Sequence, residues 1–360
     1  MGAAVSDQQT GNRTPVDWGV AVATAQRLIK PGPVVPMEEA ERAVEQLRVA
    51  TGVAESHVRE LTGLGIDLPL HPGEVVDRRR WVEAAAEGLA ALTEGALPAG
   101  PNRAMGGVLA GSAGVQAGMV LAYLGGRVLG QYDPFGGEGD SGRLLLVAPN
   151  IMAAQRALDV PAEDFQMWVC LHECTHRLQF TAVPWLRDYF SGEVASFLSG
   201  LDETATGAFS KLPEVVKSMR RRTDDNDPGS SGPIGLVEML QSPQQRAVFD
   251  RLIALSTLLE GHADHVMDAV GPTVVPTVAT IRARFTARRR GGGMLDRILR
   301  TLLGVDAKVK QYAAGAAFTR YVVDSVGMTG FNRVWESAET VPLRAEIGDP
   351  AAWVRRVHGR

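Results

Sequence analysis

The segment from Trp168 to Phe180 holds the residues best suited to chemistry, because it contains the pattern His-Glu-Cys-Thr-His. Its apolar residues recur every three or four positions, which predicts an α-helix. On a helix, residues four apart lie about one turn apart, so His172 and His176 can offer ring nitrogens to one metal ion. Glu173 would then face the water that the ion activates. The pattern predicts the site of a zinc hydrolase with one zinc ion per chain.

A catalytic zinc ion needs a third protein ligand, from an element that packs against the first helix. Glu260 is the leading candidate, because it lies in a second helical pattern, Leu-Glu-Gly-His-Ala-Asp. Asp264 follows it by four positions and shares its face of the helix. A carboxylate there could accept a hydrogen bond from the other ring N–H of a ligating histidine and so orient that ring.

Composition places the chain among soluble globular proteins. It has 360 residues, 45% of them hydrophobic, which is enough for a sizeable core. The net charge of −4 gives no general attraction to nucleic acid, so no nucleic-acid partner is expected. The only cysteines, Cys170 and Cys174, lie one turn apart on the predicted metal helix and are poorly placed for a disulfide. With no export signal visible, we expect a cytoplasmic location.

Helical patterns, glycines and prolines divide the chain into three predicted regions. Residues 1–14 read as a disordered leader, 15–135 as an N-terminal helical region, and 136–360 as the catalytic region with a helical insertion at about 181–250. The regions could still form one compact domain. The glycine-rich stretch from Met105 to Gly130 is long enough to span a bilayer. Its many glycines favour a core helix, and no membrane span is expected.

The expected fold is mainly α-helical with a small β-sheet, an α+β class. The best strand candidate is the short apolar run from Leu144 to Ala148. Two placements fit this run equally. It could be an edge strand beside the metal helix, where an extended peptide could add through backbone hydrogen bonds, or a strand buried inside the sheet.

Other polar side chains have weaker claims to a role. Tyr312 could polarise a scissile carbonyl through its phenol, although buried packing is the commoner use of tyrosine. His262 and His265 lie shortly after Glu260 but point to other faces of the helix, which favours structural roles for both. The basic run at residues 282–290 carries no nucleic-acid-binding motif and reads as a solvated helix face.

The two motifs together resemble the gluzincin metallopeptidases, whose pattern is HExxH followed by a helix with ExxxD. A resemblance over nearly the whole chain is to an actinobacterial zincin-like family of metallopeptidases associated with deazaflavin-coenzyme biosynthesis. It is carried by the stretches VDWGVAVATAQRLIKPGP, VLGQYDPF, LHECTHRLQF, LLEGHADHVMD, KQYAAGAAF and EIGDPAAWVRRV. The resemblance implies a zincin-like metallopeptidase core in which Glu173 is the general base and zinc is bound by His172, His176 and Glu260.

One departure from that pattern concerns the third ligand. The segment between His176 and Glu260 is longer than in thermolysin-like enzymes, so an inserted helical region must intervene. Glu193 and Glu203 lie in that segment and stay possible ligands.

Three functions are compatible with the sequence. The favoured one is a zinc-dependent metallopeptidase or peptidase-like amide hydrolase, acting on a peptide or small amide with Glu173 as general base. The second is a zinc hydrolase of a small non-peptide substrate linked to deazaflavin-coenzyme metabolism. The third is a non-catalytic protein with a structural zinc ion, which a fourth protein ligand closing the site would favour.

Overall fold

The computed structural model describes residues 16–94, 103–137, 141–200, 242–290 and 305–359. Within these ranges the chain is mainly α-helical with a small mixed β-sheet, so the predicted fold class is confirmed. The predicted leader, most of the predicted insertion and Glu203 lie outside the described residues.

The first half of the chain contains both helices and strands. They are α1 (Trp18–Leu28), α2 (Met37–Thr62), β1 (Glu74–Val76), α3 (Arg78–Thr93), α4 (Arg103–Gly125), β2 (Gly130–Asp133), β3 (Arg143–Val147) and α5 (Ala148–Leu158). The described part of the second half is helical. It contains α6 (Ala162–Thr181), α7 (186–200), α8 (Pro243–Val274), α9 (Val278–Arg290), α10 (Val305–Phe331), a 3₁₀ turn (Asn332–Trp335), α11 (Arg344–Gly348) and α12 (Pro350–His358). Among the helices described, none combines the length and the apolar character that crossing a membrane requires.

β3 is the central strand of the sheet, parallel to β1 and antiparallel to β2. Leu144 and Leu146 belong to the core that includes residues of α2, α6 and α8, whereas Leu145 and Val147 belong to a second core with α1, α3 and α4. Both faces of β3 are therefore covered, which explains why its residues form an unbroken apolar run with no alternating polar positions. Of the two placements expected for this run, the buried one is therefore right. The edge strand next to α6 is β2.

α6 lies at the centre of the larger core, between α2, α8 and β2. Its first turn contains Asp164, whose negative charge is favourable at a helix N-terminus. The same carboxylate accepts hydrogen bonds from the Thr277 N–H at 2.9 Å and the Thr277 hydroxyl at 2.5 Å, which links the start of α6 to the loop after α8. Cys170 and Cys174 are buried free thiols, both within hydrogen-bonding range of Thr51 on α2.

A buried ion network joins α2 to α6. Glu55 is almost completely buried and accepts hydrogen bonds from Arg177 of α6 and from Arg59 of its own helix. Other N–H groups of both guanidiniums donate to backbone carbonyls of the loop at residues 65–71, three from Arg59 and one from Arg177. Breaking such a buried pair by removing one partner typically costs about 3–5 kcal/mol, because it leaves an uncompensated charge. The network therefore holds both α6 and the loop that leads to β1.

α8 and α10 cross at a contact between two glycines. A Cβ atom on Gly261 would lie 2.1 Å from the carbonyl carbon of Gly315, and one on Gly315 would lie 2.2 Å from the Thr257 carbonyl oxygen. Two backbones can approach this closely only where side chains are missing. Gly261 follows Glu260 in the chain, so the crossing fixes the backbone that carries the third candidate ligand.

We expect Gly261→Ala to destabilise the protein by about 1–3 kcal/mol, because the new methyl group overlaps backbone atoms that no rotamer change can move. Gly52→Ala in α2 is the matched control, since a Cβ atom there meets nothing within 4 Å. Alanine is favoured over glycine in helices by about 0.8–1.0 kcal/mol, so this control should match or exceed the stability of the parent. Urea unfolding measures both, and equal stability of the two variants would contradict the tight crossing.

Candidate metal centre

His172 and His176 lie one turn apart on α6 and direct their Nε2 atoms toward each other at 3.1 Å. The two rings are nearly perpendicular, with an interplanar angle of 86° and centroids 4.6 Å apart. Both side chains are partly accessible, at 26% and 15% exposure, so a ligand can reach the two nitrogens.

Glu260 on α8 completes a cluster of three possible ligand atoms. Its Oε2 lies 3.6 Å from His172 Nε2 and 3.9 Å from His176 Nε2. In the part of the chain that the structure describes, these three residues are the one group of metal-binding side chains whose ligand atoms lie within 4.8 Å of one another. Tetrahedral zinc with bonds of about 2.0–2.1 Å holds its ligand atoms about 3.4 Å apart. Two imidazole nitrogens and one carboxylate oxygen at these separations fit a catalytic zinc site.

The second ring nitrogen of each histidine faces the protein interior. His176 Nδ1 lies 2.9 Å from Gln179 Oε1, and His172 Nδ1 lies 3.3 Å from Met267 Sδ on α8. Sequence reasoning missed both contacts. Gln179 follows His176 by three positions, a spacing that brings side chains together on a helix, so a signal for it was present. The Met267 contact depends on how two helices pack, which no local pattern encodes.

Glu173 is buried between α6 and β2. Burial and, to a lesser extent, the nearby Glu260 carboxylate raise its pKa, a hydrogen bond from the Tyr132 backbone N–H lowers it, and together they bring the pKa to about 8. Gly130 of β2 leaves the space that this side chain occupies, because a Cβ atom there would lie 2.6 Å from Glu173 Cγ. Glu173 is therefore a confined carboxyl group that can hold a proton at neutral pH in the metal-free protein.

Asp264, predicted to orient a histidine, lies one turn after Glu260 on α8. Its Oδ1 is 3.6 Å from Arg282 Nη2, and Arg282 also pairs with Asp268 at 2.5 Å. The orienting role of Asp264 stays a prediction. Tyr312 lies on α10, and its role as a donor to a scissile carbonyl stays a prediction as well.

Glu193, the alternative ligand within the described residues, forms an ion pair with Arg251 at 2.9 Å. It is not a member of the three-residue cluster.

His262 is fully buried on α8, and burial lowers its pKa to about 3, so the ring is neutral at physiological pH. It stacks on Phe331 with centroids 5.0 Å apart. Its Nδ1 lies 3.1 Å from Gln179 Nε2, which connects this ring to the residue that contacts His176.

Comparison with known proteins gives a family match and a similar solved structure. The family model described as zincin-like metallopeptidase matches residues 16–354. The crystal structure of a candidate hydrolase with a novel fold from Chloroflexus aurantiacus is similar, with 32% sequence identity and a TM-score of 0.67. That similarity covers 96% of this chain and 99% of the other. No curated protein matches the chain. Because the family match extends over nearly all of the sequence, the protein belongs to the zincin-like metallopeptidase family.

Proposed function

We propose that the protein is a zinc-dependent hydrolase that cleaves amide bonds in peptides or small amides. The observation that carries the proposal is the convergence of His172, His176 and Glu260 within 4.8 Å. Glu173, the neighbour of His172 in the chain, supplies a buried carboxyl group beside them. The metallopeptidase family supports the proposal, and the similar structure from Chloroflexus aurantiacus, described as a candidate hydrolase, supports hydrolysis in general.

A bound zinc ion would supply a Lewis acid that acidifies water and polarises a carbonyl group. The cluster of His172, His176 and Glu260 would hold it. Glu173 takes a proton from the attacking water on its carboxylate and returns it to the leaving nitrogen. The backbone N–H of Tyr132 donates to that carboxylate and holds it in one orientation. A positive charge at the three ligand atoms would lower the pKa of Glu173 and favour the ionised form that a base requires.

A peptide is the favoured substrate class because β2 is an edge strand that packs against α6. An extended peptide can add to such an edge through backbone hydrogen bonds. A small non-peptide substrate, including one from deazaflavin-coenzyme metabolism, is the second candidate. One contact favours this second candidate. The Tyr132 N–H already donates to Glu173, so this backbone donor of β2 is not available to an added peptide strand.

A purely structural zinc ion is the least favoured alternative. Structural zinc sites almost always have four protein ligands, whereas catalytic sites have three and keep one position for water or substrate. The cluster found among the described residues has three.

Purified protein should bind about one zinc ion per chain, and the variants His172→Ala, His176→Ala and Glu260→Ala should each lose most of the affinity. Asp264→Ala should weaken binding by roughly 10- to 100-fold, the usual effect of losing a group that orients a ligand. Glu193→Ala is the carboxylate control and should bind as the parent does. Competition with a chelator measures each affinity. If Glu260→Ala binds as tightly as the parent while Glu193→Ala is weaker, the assignment of the third ligand is wrong.

Glu173→Gln should keep zinc and the fold but lose hydrolysis, because an amide preserves the shape of the side chain and cannot take up the proton. Glu163→Gln, at an exposed position of the same helix, is the control and should stay active. Zinc-loaded protein is incubated with a peptide mixture, and mass spectrometry identifies the cleaved bonds. Equal cleavage by the parent and Glu173→Gln would eliminate Glu173 as the base.

The stability of the zinc-free protein should depend on pH through Glu173. Its pKa of about 8 in the folded protein exceeds its ordinary value of 4.5, so between these values the folded state binds the proton more tightly than the unfolded state does. The parent therefore loses stability as pH rises through this window. The free energy of unfolding of Glu173→Gln, relative to the parent, should grow between pH 5 and pH 8. Urea unfolding with a chelator present measures it, and a constant difference would contradict the raised pKa.

A further inference from the structure

Gln179 is a fully buried side chain that connects the two helices of the candidate metal centre. Its Nε2 donates to the Leu259 carbonyl oxygen of α8 at 2.9 Å. The same nitrogen lies 3.1 Å from His262 Nδ1, and its Oε1 lies 2.9 Å from His176 Nδ1. One amide group therefore contacts a candidate ligand on α6 and the backbone next to Glu260 on α8.

The Leu259 contact fixes which way the amide points. A backbone carbonyl oxygen can accept a hydrogen bond but cannot donate one, so the amide nitrogen must face Leu259. Oε1 then faces His176, and because this oxygen only accepts, the hydrogen of the pair must lie on His176 Nδ1. A neutral imidazole with its hydrogen on Nδ1 has its lone pair on Nε2, the atom a metal ion needs.

The second N–H of the amide requires an acceptor, which His262 Nδ1 provides. The hydrogen of this neutral ring then lies on Nε2, a buried atom with no hydrogen-bond partner among the described residues. Because the Leu259 carbonyl can only accept, it decides which atom donates and which accepts in each of the three hydrogen bonds of Gln179. His176 thus donates a hydrogen bond to Gln179, and Gln179 donates hydrogen bonds to Leu259 and His262.

We propose that Gln179 is a positioning residue that sets the tautomer of His176 and the placement of Glu260 at the same time. Leu259 immediately precedes Glu260, so the amide that orients one ligand also holds the backbone of another. The proposal rests on the proposed zinc site, yet the tautomer is a property of the zinc-free protein and can be measured without zinc or substrate.

The test compares Gln179→Met with Gln166→Met. Methionine has a similar length but cannot make these hydrogen bonds, and Gln166 is a buried glutamine on the same helix, 4% exposed and ten positions before His176. Long-range ¹H–¹⁵N spectra of zinc-free protein at pH 8, where an unperturbed imidazole is neutral, identify the ring nitrogen that carries the hydrogen. The parent and Gln166→Met should show His176 protonated at Nδ1. Gln179→Met should lose this preference and bind zinc roughly 10- to 100-fold more weakly by chelator competition.

Gln179→Glu separates positioning from packing. A carboxylate can still accept from His176 Nδ1 but cannot donate to Leu259, so this variant should restore the Nδ1–H tautomer and part of the zinc affinity lost in Gln179→Met. A helix cross-link without a positioning role would give no such rescue.

Two results would overturn the proposal: a parent protein with His176 protonated at Nε2, or a folded Gln179→Met variant with unchanged tautomer and zinc affinity. If the parent bound no zinc, the proposed function would fail, while the tautomer spectra of the parent and of Gln179→Glu would still decide the role of Gln179.

Discussion

The burial of a polar helix is the constraint on which this structure depends. α6 buries Glu173, Arg177 and Gln179, and each finds its partner on a different neighbouring element: the backbone of β2, Glu55 of α2 and the backbone of α8. A buried polar group without a partner costs about 1–3 kcal/mol, and a charged one costs more. Because the three partners lie on three sides, they fix the rotation and the axial position of α6. The ring nitrogens of both histidines are directed as a result.

Electrostatics gives the same site a preference for a cation. Glu260 is close enough for its negative charge to raise the pKa of Glu173. Two carboxylates in a largely buried place are costly when both are ionised, and a positive ion held by the candidate ligands would relieve that cost. The fold therefore concentrates negative charge where two imidazole nitrogens already converge, an arrangement that suits a divalent metal ion.

The sequence predicted the parts of this arrangement that depend on local periodicity. The helices that carry His172 and Glu260 follow from residue spacing, and β3 follows from its apolar run. β2 was missed because Gly130–Asp133 is a four-residue strand with no apolar alternation. Gly52 interrupts the helical pattern of α2, yet α2 is one helix, because a single exposed glycine costs a long helix only about 1 kcal/mol. The contact between Gln179 and Leu259 joins positions 80 apart, so it depends on how α6 packs against α8, and local spacing carries no information about that packing.

The crossing of α8 and α10 at Gly261 and Gly315 gives the third candidate ligand an unusual kind of support. Where side chains separate two helices, their spacing can relax through changes of rotamer, and fixing those rotamers costs conformational entropy. Two backbones in direct contact have no such freedom. The segment that carries Glu260 is therefore already ordered before any ion arrives, and repacking of the surrounding core cannot shift it gradually. A change in which substrates bind must instead come from residues that face the substrate, because the distance between α8 and α10 behind Glu260 is fixed.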